Sequence, residues 1–183
     1  SWIITTEDGQ KVLELASVRQ RALPMIITGE EWNDFTLNTK FRPITTRGEF
    51  GVIFRYETSR HYYALWYDCS RLKLIVRNDG QIQVLAEVAV DLNCDQYYDV
   101  KLTARGPHLE VFVGEYQLRA VDSTYEWGRV GFAGTHPVRF GPLEVQMDAQ
   151  ALQACNQRLE TQSRREQHNR NSYPQPRLWQ VIK

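Results

Sequence analysis

From Trp2 to Met147 apolar and polar positions alternate along the chain. Phe50, Val52, Phe54 and Tyr56 are interleaved with Gly51, Ile53 and Arg55. After a short polar turn, Tyr63, Leu65 and Tyr67 are interleaved with Tyr62, Ala64 and Trp66. A period of two sends alternate side chains to opposite faces of a sheet. The pattern predicts strands near 11–18, 23–27, 34–42, 49–56, 61–67, 72–77, 82–88, 97–104, 108–113, 116–121, 128–133 and 137–146. Turn signals recur at the roughly 8–12-residue spacing of an all-β sandwich or barrel. Glu7-Asp8-Gly9 and Asn78-Asp79-Gly80 supply the positive-φ positions of tight hairpins. Gly106-Pro107 and Gly114 punctuate the later strands.

The pattern changes after Met147. From Ala149 to Arg170 Gln, Arg, Glu and Asn dominate and Gly and Pro are absent, which predicts a helix with Asp148 as its N-cap. Leu152, Cys155 and Leu159 form a narrow stripe that could dock on the β-domain. Asn171–Pro176 reads as a Pro-punctuated linker, and Arg177–Lys183 turns apolar again. That last segment either packs back or opens a further domain, and the second reading is preferred. The expected organisation is a β-domain over 1–148, a helix over 149–170, and a linker with the start of another domain over 171–183.

Composition narrows the function classes. The 183 residues carry a formal net charge of zero, so nothing in the balance of charge suggests nucleic acid or an anionic membrane surface as a partner. No apolar run approaches the roughly 20 residues of a membrane span. The chain starts at Ser1 and carries no signal-peptide pattern, so it reads as a mature chain or an excised piece. The three cysteines, Cys69, Cys94 and Cys155, match no metal motif. A meander over 61–88 would bring Cys69 and Cys94 to one end, where a disulfide is one option and two free thiols the other.

Catalytic signatures are missing. There is no GxSxG, HExxH or P-loop, and no ExDxxE string of the kind that places paired carboxylates on one strand of a sandwich glucanase. Of the four histidines only His61 adjoins a candidate binding face, where it is a candidate ligand contact. The face turned away from the core is more informative. It gathers Arg55, Tyr62 and Trp66, with Lys73 and Arg77 from the next strand and Asn38, Lys40 and Arg42 from the strand at 34–42. A sugar has an apolar C–H face and a rim of hydroxyls, which suits aromatic platforms beside fork-shaped donors. Acidic sugars also suit Arg, which pairs bidentately with a carboxylate. The simpler reading is that Arg and Lys stems cover apolar surface. No cofactor is required. A structural calcium would need loop oxygens, and Glu14, Asp34 and Asp148 are the candidates, though solvated or capping carboxylates are the plainer reading.

GEFGVIFRYETSRHYYALWYD, LKLIVRNDGQIQVLAEV, YYDVKLTARGPHLEVFVGEYQL and WGRVGFAGTHPVRFGPLEV together resemble the concanavalin A-like (LamG-like) jelly roll. The likeness is to a bacterial branch that includes family 66 carbohydrate-binding modules and keto-disaccharide hydrolase-like domains. It rests on Gly51, Phe54, Arg55, Tyr62, Tyr63, Gly128, Gly131, Phe140 and Val145, and covers roughly residues 30–147. The resemblance implies a two-sheet antiparallel β-sandwich with glycan on its concave face or rim, here with a C-terminal helical extension. The terminal PQPRLWQVIK is similar to the lead-in to a propeller domain in bacterial pectin-degrading proteins.

The expectation is therefore a non-catalytic oligo- or polysaccharide-binding module of a secreted or periplasmic polysaccharide-degrading enzyme. Trp66 and Tyr62 would stack and Arg55 would clamp, with Arg42, Lys73 and Arg77 in support. The alternatives are a sandwich hydrolase or lyase acting on a modified or acidic sugar, with His61 or a Tyr as base, and a structural domain packing on a missing catalytic one.

Overall fold

The structure, a computed structural model, describes residues 1–17 and 23–172. Two antiparallel sheets face each other. One runs β1 (Trp2–Glu7), β2 (Gln10–Leu15), β13 (Val138–Phe140), β4 (Phe35–Pro43), β9 (Tyr98–Arg105), β10 (His108–Val113) and β11 (Tyr116–Val121), with β14 (Glu144–Gln146) also on β4. The other runs β3 (Met25–Trp32), β12 (Gly128–Gly134), β5 (Phe50–Thr58), β6 (His61–Tyr67), β7 (Arg71–Asn78) and β8 (Gln81–Ala89). Of the sandwich and the barrel that the pattern allows, the two-sheet sandwich implied by the resemblance is what forms.

The alternation explains the core. Phe50, Val52, Phe54, Tyr63, Leu65, Leu74 and Phe132 of the six-stranded sheet meet Leu37, Phe41, Leu102, Val111 and Phe140 of the other. Burying each such side chain contributes about 1.5–3 kcal/mol. Aromatic pairs join the sheets: Phe132 stacks on Phe140 at 4.2 Å, and Phe41 meets Phe50 edge-on at 4.8 Å. Asp8-Gly9 and Asp79-Gly80 turn the β1–β2 and β7–β8 hairpins with both residues at positive φ, as their sequence requires.

Several expectations are corrected. Trp2–Glu7 is a strand the pattern did not single out, and the expected strand at 137–146 is two short strands, β13 and β14. Between these strands the chain leaves the ladder at Gly141, whose N–H donates to Lys40 O at 2.8 Å. The expected 34–42 strand does not share a face with the 49–67 hairpin: β4 lies in the opposite sheet, so Asn38, Lys40 and Arg42 face the other side of the molecule. Alternation tells which side of a strand is inward, not which sheet owns it. No disulfide joins Cys69 and Cys94. Cys69 sits at φ 74°, and its sulfur instead accepts from Gly48 N–H at 2.9 Å and donates to Gly48 O at 3.0 Å.

Helix α1 (Ala149–Ser172) is capped as expected, with Asp148 Oδ1 accepting from Ala151 N–H at 2.7 Å. Its docking stripe differs from the expected one. Ala151 and Cys155 are buried, and Arg158 and Gln162 both donate to Glu31 Oε2, at 2.9 and 2.7 Å. Leu152 and Leu159 point away, at 49% and 37% exposure. A salt-bridged arginine over the Trp127 ring at 4.5 Å takes the place expected of a leucine. Residues 171 and 172 continue the helix rather than beginning a linker, and the rest of the expected linker and domain start, 173–183, lies outside the described residues.

Candidate functional site on the outer face of the six-stranded sheet

The outer face of β5, β6, β7 and β12 is not a plain polar surface. Ile53, Tyr62, Ala64, Ile75 and Ala133 form a second buried cluster there, flanked by Leu23, Met25, Ile27, Tyr56 and Trp66. Beside it, over β6, β7 and β8, lies a hollow of about 350 Å³. Trp66, Tyr62, Ile75, Ile82 and Val84 supply its apolar surface, and Glu49, Asp68, Lys73, Arg77 and Thr135 its polar groups. Cross-strand register makes this set: Trp66 stands beside Lys73, Tyr62 beside Arg77, and Arg77 beside Ile82. Ile82 and Val84 are 58% and 44% exposed, an apolar wall left open to solvent.

Trp66 is half-buried, and its ring lies over Gly51 of the neighbouring strand. A β-carbon at Gly51 would come within 2.5 Å of Trp66 Cε3, so only glycine leaves room for the ring to settle there. Its indole N–H donates to Glu49 Oε2 at 2.9 Å, which fixes the ring and ties up that carboxylate. Lys73 pairs with Asp68. Burial would raise the Asp68 carboxyl, but the Lys73 ammonium and the Ser70 and Arg71 amides outweigh it and hold it below the usual carboxylate range.

The expected site residues are distributed unevenly. Tyr62, Trp66, Lys73 and Arg77 do converge on the hollow. Tyr62, however, is only 2% exposed, so it is a wall of the site rather than a stacking platform. It stacks on Tyr56 at 6.1 Å, and its hydroxyl oxygen accepts from Arg77 Nη1 at 3.4 Å. Trp66 is thus the aromatic ring available to a ligand in this hollow.

Arg55 is not on this face. It is 0% exposed and donates to Asn33 O, Gly106 O and Tyr125 O, at 2.7–3.1 Å, with Asp34 3.5 Å away. A bulge reorients it: the β5–β6 register shifts between Phe54 and Thr58, and Arg55 adopts φ 45°. Gly128 permits this, since a β-carbon there would meet the Arg55 backbone at 2.2 Å. Beyond the bulge Tyr56, expected in the core, stands on the outer face. A one-residue slip exchanges faces, and the sequence carries no plain mark of it.

Arg42 pairs with Glu7 at 2.8 Å on the opposite sheet and does not reach the hollow. His61 lies at the hairpin end, outside the hollow lining. Its Nε2 meets Asp79 Oδ1 and its Nδ1 meets Thr58 Oγ1, both at 2.9 Å, which ties the β5–β6 turn to the β7–β8 turn. The three calcium candidates do not form one site. Glu14 pairs with Arg139 at 2.7 Å, Asp34 accepts from Gly106 N–H at 2.8 Å, and Asp148 caps the helix. Among the described residues no three metal-ligating side chains cluster. Sequence reasoning missed Glu49, Asp68, Ile82, Val84 and Thr135. The first, second and last are loop residues that only the fold brings to the sheet.

No protein-family model matches the sequence, and no curated protein matches it significantly. Solved structures do match in shape. The carbohydrate binding module CBM66 from Bacillus subtilis superimposes with a TM-score of 0.67 at 18% identity, covering 80% of this chain and 92% of that one. A Bacillus subtilis protein of unknown function with a galectin-like fold gives 0.63 at 16% identity, covering 79% and 86%. A galectin from Caenorhabditis elegans gives 0.53 at 14% identity, covering 73% and 96%. These likenesses establish the jelly-roll sandwich fold.

Proposed function

We propose that this domain is a non-catalytic carbohydrate-binding module that holds an oligo- or polysaccharide on the outer face of its six-stranded sheet. The observation that carries the reading is Trp66: a ring seated over Gly51 and anchored through Glu49, beside the exposed Ile82 and Val84 and a rim of charged groups. Such a surface matches the apolar face and hydroxyl rim of a sugar. The CBM66 module, named for carbohydrate binding, has the same fold, which supports the reading by analogy alone.

The hydrolase or lyase alternative finds less support. Glu49 and Asp68 are the carboxylates lining the hollow. A glycosidase pair needs one carboxylic acid raised so that it can protonate the leaving group. Asp68 is held in the opposite direction by Lys73, and Glu49 is occupied by the Trp66 N–H. His61, the expected base, stands outside the hollow with both ring nitrogens engaged. As a binding module the domain would serve a polysaccharide-degrading enzyme in a secreted or periplasmic setting.

The test is calorimetric titration of wild type and Trp66→Ala against neutral and acidic oligosaccharides. The variant should lose affinity about tenfold or more, equivalent to roughly 1.4 kcal/mol, with its melting temperature little changed. Full affinity in Trp66→Ala would overturn the reading.

A further inference from the structure

The hollow is electrically lopsided. At one end Lys73 is neutralised by Asp68, and Glu49 is engaged by the Trp66 N–H. At the other end stands Arg77, four residues along β7 and so about 13 Å away. Among the described residues Arg77 forms no ion pair. One hydrogen bond holds its guanidinium, from Nη1 to the Tyr62 hydroxyl oxygen at 3.4 Å. Its Nε is buried and has no partner. Leaving a buried donor unsatisfied is unfavourable, more so when it belongs to a charged group. Arg42 Nε also lacks a partner, but Arg42 Nη1 is paired with Glu7; Arg55 binds three carbonyls, and Arg71, Arg119 and Arg139 each meet a carboxylate.

The surroundings hold Arg77 in place rather than satisfy it. Its own carbonyl accepts from the Tyr125 hydroxyl at 2.8 Å, which pins the backbone, and its guanidinium lies 5.9 Å from the centre of the Tyr62 ring. A fork-shaped cation that is positioned, poorly hydrogen-bonded and open to a sugar-sized hollow has the chemistry of a carboxylate receptor.

We propose that the ligand is an acidic glycan, bound in one direction: a uronate carboxylate engages Arg77 while an adjoining sugar of the same chain stacks on Trp66. This rests on the carbohydrate-binding reading and adds to it the ligand class and the polarity of binding. Trp66 and Tyr62 lie four residues apart on β6, about 13 Å, a span that fits two to three linked sugar rings rather than one. Engagement turns the guanidinium outward, so that Nε and one Nη face the two carboxylate oxygens. The carboxylate thereby supplies the partner that Nε lacks.

The test is a matched pair of oligosaccharides, a uronate oligomer and the same oligomer with its carboxyl groups methyl-esterified. Each is titrated into wild type, Arg77→Gln and Trp66→Ala, with circular dichroism and melting curves confirming that the variants are folded. Wild type should prefer the acid form by tenfold or more, with a preference that shrinks as salt rises. Arg77→Gln should abolish that preference, the acid form falling to the affinity of the ester. Trp66→Ala should weaken both forms alike. Equal affinity of wild type for acid and ester, or an unchanged preference in Arg77→Gln, overturns the Arg77 assignment and leaves carbohydrate binding standing. Failure of wild type to bind either form, or any neutral oligosaccharide, overturns the carbohydrate reading itself and this inference with it.

Discussion

Arg55 donates twice to a single carbonyl, that of Asn33, from Nε at 3.1 Å and from Nη2 at 2.8 Å. With Gly106 O and Tyr125 O also bound, the guanidinium stitches the β3–β4 turn, the β9–β10 turn and the approach to β12 into one corner. Burial lowers its pKa, and the charges of Tyr63, Asp34 and Glu126 oppose that shift. Arg55→Met strips this corner of its donors. It should cost about 3–5 kcal/mol, the range for breaking a buried charged network. For a domain of this size that lowers the melting temperature by on the order of 10 °C. Because the side chain does not reach the hollow, glycan affinity measured well below the new melting point should be unchanged. Lost affinity with unchanged stability would return Arg55 to the binding face.

Gly51 offers a complementary test. Its β-carbon in Gly51→Ala would meet Leu65 O at 2.4 Å and Trp66 Cε3 at 2.5 Å. The first contact is with backbone, so the strand must shift, at a cost of roughly 1–3 kcal/mol. The second lifts the indole away from Glu49. Thermal denaturation and tryptophan emission should therefore change together, and glycan affinity should fall as well. An alanine variant with wild-type emission and affinity would mean that Trp66 does not depend on this seat.

Stability should fall at both ends of the pH scale. Burial would raise Glu31, Asp68 and Asp122, but their hydrogen-bond donors outweigh it. The Tyr97 hydroxyl leads in lowering Glu7. All four carboxyls thus lie below their ordinary values. Lowered carboxyls stabilise the fold above their unfolded pKa, near 4, and that contribution disappears as pH falls through the native values. Tyr63, Tyr67 and Tyr97 are pushed up to about 12, first by burial and then by carboxylate or thiol neighbours. For them the neutral form is favoured in the native state. Their contribution is complete below about pH 10 and is lost as pH climbs towards 12. Urea midpoints should form a plateau over neutral pH with a decline on each side. Absorbance titration should show a late tyrosine step near pH 12 from these three, and the absence of any step above about pH 11 would contradict the assignment.

Much of the fold was legible because one physical rule carries it. Alternation in β5 and β6 named the inward residues Phe50, Val52, Phe54, Tyr63 and Leu65, and the Asp-Gly pairs named two hairpin turns. The same rule failed at Arg55, where a bulge breaks the period, and at Arg42, whose strand obeys the period but belongs to the other sheet. Tyr62 was placed on the correct face, yet its exposure depends on Tyr56, which the bulge moves beside it. The α1 stripe was misread because an arginine salt bridge to Glu31, invisible to a hydrophobic pattern, holds the helix. Of the candidate site, Trp66, Lys73 and Arg77 were legible from strand parity. Glu49, Asp68 and Thr135 were not, since only tertiary folding carries loop residues to a sheet face.

The most direct measurement is chemical-shift mapping on the isotope-labelled protein titrated with a uronate oligosaccharide. Carbohydrate binding on the outer face of the six-stranded sheet predicts shifts confined to Glu49, Tyr62, Trp66, Lys73, Arg77, Ile82 and Val84, with the Trp66 indole N–H and the Arg77 side chain moving most. Saturable shifts on the opposite sheet, around Arg42, Tyr97 and Arg139, or no shifts at millimolar concentrations of either the uronate or a neutral oligosaccharide, would contradict it.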